Sequence, residues 1–220
     1  MRKPVRDWWD ISKLPQPKAA IEAGDLQAAL GGFATREMLD YRFHGRCHGD
    51  DWVCGFGVVL WLMGDTDGAG RVWSKACDEA LKSKFKYSST GTFQPGLLLW
   101  FASVWLKKED WHEEAASLFD KLLKKKQSGQ LWGGDFSSLL AKFLRREIDL
   151  LQVQYGYKDQ PPQGQASYEW EALFYAGVRA YEDGDVEETR RLWRQAKGRT
   201  ETSVVLEYYL LEHEKRKLEK

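Results

Sequence analysis

Net charge is the first thing this chain lacks. Its 33 lysines and arginines are balanced by 33 aspartates and glutamates over 220 residues. A general nucleic-acid binder carries a basic excess, so that class is disfavoured. Cysteine is scarce: Cys47, Cys54 and Cys77 are too few for a disulfide framework and fit a reducing compartment. There is no long hydrophobic run, and the most apolar stretch, near 96–106, is too short to cross a bilayer. The basic start, Met1 to Trp9, has no apolar core segment and does not read as a secretion signal. Cytoplasmic localisation is the resulting expectation. Catalytic signatures are also missing. The chain has no Gly-x-Ser-x-Gly elbow, no Gly-Lys-Ser/Thr phosphate loop and no His-Glu-x-x-His. No catalytic residue, cofactor or metal is expected.

What the chain does have is tryptophan, eleven residues of it, and a repeated phrase. Gly-Asp is followed after three residues by a small side chain, and after three more by Phe or Trp. Gly24-Asp25…Ala29…Phe33 is the first copy, Gly64-Asp65…Ala69…Trp73 the second, and Gly184-Asp185…Thr189…Trp193 the fourth. Asp110-Trp111…Ala115…Phe119 is a degraded third. A small residue and an aromatic four apart share one helix face. Gly-Asp ahead of them ends one helix and caps the next. Repetition of this kind predicts stacked helical hairpins.

Hydrophobic periodicity predicts about ten helices and no strand, in a single domain spanning 1–220. An irregular segment, 1–17, is broken by Pro4, Pro15 and Pro17. The first hairpins occupy 18–126, with helices at 18–23, 25–39, 52–63, 66–83, 96–107 and 111–126. Polar residues 41–50 and the Ser- and Thr-rich 84–94 read as loops. An extra long helix is predicted at 136–155 and a linker at 156–165. The last part, 167–217, holds a hairpin of helices 168–182 and 186–197 and a final helix from 203. The all-α class follows, with antiparallel hairpins stacked as a short, compact α-solenoid. The basic run Lys121–Lys126 reads as a solvated helix end.

The phrase resembles the tetratricopeptide repeat, a pair of antiparallel helices. Gly57, Ala69, Trp73 and Ala76 match that family's spacing, as do Gly177, Thr189, Trp193 and Ala196. Ser103, Ala115 and Phe119 match in part, and Pro17 stands where the first copy needs a small residue. The copies here are irregularly spaced, unlike the family's tandem array, and the resemblance covers about two thirds of the chain. It implies a concave face lined by first helices, carrying Trp61, Trp100, Phe174 and Tyr181. That face is largely aromatic, so the expectation is that the chain fills it from within, using the 136–155 helix or the Trp8-Trp9 segment.

Two clusters invite a functional reading. His44, Cys47, His48 and Cys54 include zinc-ligand types at no recognised spacing. They centre the alternative of an enzyme or metal protein. Asp50 and Asp51 read as helix caps, and His112 before Glu113-Glu114 reads as an ordinary first turn. The 84–94 segment carries aromatics among cations, the mixture that interface hot spots favour. With the 41–50 segment it predicts a contact patch of Arg42, His44, Arg46, Lys86, Tyr87 and Phe93. The function expected is a non-catalytic adaptor, inhibitor or neutraliser, for instance a toxin-immunity protein, that binds another protein or peptide and neither nucleic acid nor membrane. A structural subunit of an assembly is a further alternative, and monomers or small homo-oligomers are expected.

Overall fold

A computed structural model describes residues 16–44, 50–82, 92–129, 135–158, 162–197 and 206–218. These residues form eleven α-helices and no strand. In chain order they are α1 (Pro17–Glu22), α2 (Leu26–His44), α3 (Asp50–Leu62), α4 (Thr66–Leu81), α5 (Gln94–Leu106) and α6 (Glu109–Gln127). They continue as α7 (Asp135–Leu144), α8 (Leu150–Tyr155), α9 (Pro162–Glu182), α10 (Val186–Lys197) and α11 (Leu206–Leu218). No described helix is long and apolar enough to cross a membrane.

The Gly-Asp turns form as the sequence predicts. Gly24, Gly64 and Gly184 have φ of 78°, 90° and 81°, a left-handed conformation that glycine adopts without steric cost. In each, the following aspartate N–H reaches back five residues to a helix carbonyl: Asp25 to Ala20, Asp65 to Leu60, and Asp185 to Ala180. The same three carboxylates then accept from the N–H of Ala28, Gly68 and Glu188 at 2.8–2.9 Å, capping the next helix. The third copy differs. Its turn lies at Lys107-Lys108 instead of Asp110-Trp111. Lys107 takes φ 54°, and the Lys108 N–H reaches the Ser103 carbonyl at 2.9 Å. The pairs α1/α2, α3/α4, α5/α6 and α9/α10 pack as hairpins, and α2 against α3 and α4 against α5 join the first three.

The repeated small residue and aromatic do one job twice. Trp73 Nε1 donates to the Cys54 carbonyl at 3.1 Å, and Trp193 Nε1 donates to the Phe174 carbonyl at 3.0 Å. In both hairpins the N–H edge of the indole lies against a glycine, Gly57 or Gly177, where any Cβ would collide with it. Thr189 Oγ1 donates to the Gly177 carbonyl at 3.1 Å, sealing the second contact. Trp73, Trp193, Phe33 and Phe119 are all fully buried, in one contiguous hydrophobic core.

Three sequence expectations need correction. The 136–155 helix is two helices, α7 and α8. Arg146 turns left-handed at φ 65° and the Glu147 N–H closes α7 on the Lys142 carbonyl. Asp149 and Gln152 then open α8 with a reciprocal capping box. The 156–165 linker is shorter than read, because α9 starts at Pro162, the favoured first helical position. The 41–50 loop is shorter too, since α2 runs on to His44.

Candidate functional site

The inner face is aromatic and is filled from within, but not by the helix the sequence suggested. Trp61 and Phe174 are fully buried, Trp100 is 3% exposed and Tyr181 is half-buried. The rings form a continuous chain: Trp61 to Phe101 at 5.0 Å, Phe101 to Phe174 at 5.6 Å, Phe174 to Trp193 at 5.7 Å, Trp193 to Trp105 at 5.2 Å, and Trp105 to Tyr181 at 4.2 Å. Thus α9 packs on α5, and α11 packs on α3, α9 and α10. Helix α7 packs instead against α5, α6, α8 and α9, away from Trp61. The Trp8-Trp9 segment lies outside the described residues.

What holds α11 there is unusual for a helix on an aromatic surface. Its Glu214 has no exposed surface, and Glu207 only 1%. Buried carboxylates persist only when hydrogen-bonded or paired. Trp61 Nε1 donates to Oε1 of Glu214 and Trp105 Nε1 to Oε2, each at 2.6 Å. Lys217 Nζ adds a third bond at 2.8 Å. Glu207 accepts from Gln94 Nε2 and, at 2.8 Å, from Tyr175 OH. Burial and the Glu207 charge push the Tyr175 phenol well above its ordinary range, so it stays a donor. Gln94 opens α5 and Tyr175 lies mid-α9, so donors from α3, α5 and α9 converge on one face of α11.

Two open clefts flank this arrangement. One, of about 410 Å³, lies between the α5–α6 turn and the end of α9, lined by Lys107, Lys108, His112, Tyr181 and Glu182 among others. His112 packs tilted against Trp100, ring centres 3.9 Å apart, and its Nε2 lies 3.1 Å from Glu182 Oε1. The neighbouring Ser103 hydroxyl donates to the Trp100 carbonyl at 2.7 Å. The second, of about 420 Å³, lies between the α1–α2 turn and the outer side of α11, beside Ile21, Glu22, Tyr208, Tyr209 and His213. Tyr209 OH donates to Glu22 there at 3.3 Å.

The contact patch read from sequence is not assembled by the described residues. Arg42 and His44 fall in the last part of α2, whose side chains are not described. Arg46, Lys86 and Tyr87 lie outside the described residues. Phe93 is fully buried, its ring 6.3 Å from that of Phe119, so it is core and not contact surface. Of the metal-type cluster, Cys54 is buried inside α3, and Cys47 and His48 lie outside the described residues. Among the described residues no group of three His, Cys, Asp or Glu is placed to hold a metal ion. Sequence reasoning missed Glu207, Glu214, Gln94, Trp105 and Tyr175. The available signal was Glu-x-x-Leu-Leu-x-x-Glu at 207–214, one helix face with acids at both ends.

Compared with protein-family models, curated proteins and solved structures, the chain matches none.

Proposed function

We propose that this chain is a non-catalytic protein-interaction module that works as an adaptor, inhibitor or neutraliser, built on a tetratricopeptide-like hairpin stack. One observation carries the reading. The inner face already holds a helix by side-chain recognition, with Trp61, Trp105, Gln94 and Tyr175 reading two carboxylates of α11. A surface built to read an amphipathic helix is the helix-in-groove mode of protein recognition. The three cysteines and balanced charge support a cytoplasmic setting. The rival reading, an enzyme or metal protein centred on His44–Cys54, draws no support from Cys54, which is enclosed by the core.

The test is a display selection of helical peptides against the full chain. Enrichment of a shared helical pattern, reproduced with synthetic peptide at micromolar affinity or better (about −8 kcal/mol), is expected. A selection that enriches nothing, together with stoichiometric zinc in protein purified without a metal-affinity tag, would overturn the module in favour of its rival.

A further inference from the structure

The groove-facing stripe of α11 is Glu207, Leu210, Leu211 and Glu214, positions i, i+3, i+4 and i+7 of a helix. All four are buried. The two acids are about 10 Å apart along the axis at 1.5 Å per residue, with the leucines between them. Opposite this stripe the groove is preformed by other elements, with two indole N–H groups for one acid and an amide and a phenol for the other. An occupant without acceptors at those two points would leave the donors buried and unpaired, which is disfavoured. The groove therefore selects against purely apolar helices as well as for acidic ones. Docking α11 also strips water from two carboxylates, and desolvation offsets much of the gain from their bonds. The two acids therefore set the register of the seat more than its strength.

Resting on the interaction-module reading, we infer that the groove is a binding site for a partner helix of the pattern Glu-x-x-Leu-Leu-x-x-Glu, and that α11 occupies it in cis until such a helix displaces it. The partner is identified by that chemistry: an amphipathic helix with two carboxylates seven residues apart on its apolar face.

The experiment uses the full chain and a labelled synthetic peptide of residues 203–220. Wild-type chain binds this peptide weakly, since α11 competes. The full-chain variant Glu207→Gln/Glu214→Gln binds it at least about tenfold more tightly, and a peptide carrying the same two changes loses at least about tenfold, the scale of lost bonds to a charged acceptor. A folded variant that binds no better than wild type overturns the inference. Hydrogen exchange of the wild-type chain gives a second, independent decision. Amides of α11 must exchange through an opening that leaves α3 and α5 protected, and equal protection in all three helices overturns it whatever the variant does. Display-selected peptides that bind wild-type and variant chains equally would sink this inference yet leave the module standing.

Discussion

Gly57 and Gly177 each precede a buried tryptophan by sixteen residues, and each lets an indole lie against a helix backbone. That close approach explains why the spacing was legible from sequence: the glycine, the small residue and the ring are one physical unit. Gly177→Leu would drive α9 and α10 apart, and overpacking of this kind costs about 1–3 kcal/mol or more. Urea unfolding should show the midpoint falling, and an unchanged midpoint would reject the contact. Trp73 and Trp193 have no exposed surface. Truncating either to Ala is expected to cost about 3–5 kcal/mol, the range for large aromatics in cores, and each loss also removes the indole bond to a helix carbonyl, at Cys54 or Phe174. Equal costs within error would identify the two hairpins as equivalent units. A cost below about 1 kcal/mol at one of them, far under the range for a buried ring, would mark that match as accidental.

At the scale of elements, legibility tracked glycine. Three Gly-Asp turns were readable because only glycine relaxes at positive φ. The sequence puts the α5–α6 turn at Asp110-Trp111 and shows no α7–α8 break, because Lys107 and Arg146 take the same conformation with a Cβ in place. The two positions differ in what offsets the strain. Arg146 pairs with Asp183 and holds that carboxyl below its usual range, whereas Lys107 is exposed and has no such pair among the described residues. Lys107→Gly should therefore stabilise the chain by about 0.5–1 kcal/mol, the left-handed penalty less the entropy glycine adds to the unfolded state. A thermal melt checks the sign. Helix α11 was legible only as a final helix, since charged side chains default to the surface, and the face that Glu207 and Glu214 share with Leu210 and Leu211 was the one local sign of their burial. It also carries His213, whose imidazole is held below its ordinary value mainly by burial, helped by Lys217 and Arg216 and opposed by Glu214. Glu22 and Glu212 line the cleft it faces. A depressed histidine binds more protons unfolded than folded, so its contribution is complete above the unfolded value and is lost as pH falls through the folded one. Acidification below about pH 6.5, the ordinary histidine value, should loosen α11 in the wild-type chain more than in His213→Gln, as hydrogen exchange of α11 amides would report. The opposite order would exclude this residue as the cause.

For the whole molecule, the question is how helices far apart in the sequence are joined. A linear array couples each repeat only to its neighbours. Here α9 returns to α5 and α11 to α3, which a repeat phrase read along the sequence does not encode. Trp105 stands at the junction. It stacks on Tyr181 of α9 and Trp193 of α10, and donates to Glu214 of α11, 109 residues away. Trp61 reaches the other oxygen of the same carboxylate across 153 residues. Two indoles that share one carboxylate cannot contribute independently: Glu214→Gln leaves a single acceptor oxygen where two N–H groups converge. A double-mutant cycle of Trp105→Phe with Glu214→Gln should therefore show a coupling of about 0.5–3 kcal/mol, the range for residues in one hydrogen-bond network. The phenylalanine keeps most of the stacking surface, so the coupling isolates the N–H to carboxylate bond. Trp61→Phe with Arg146→Ala, which share no partner, should add to within about 0.3–0.5 kcal/mol. If the Trp105 cycle were additive within the same margin, the bond from Trp105 to Glu214 would contribute nothing to holding α11, and Trp105 would act there by stacking alone.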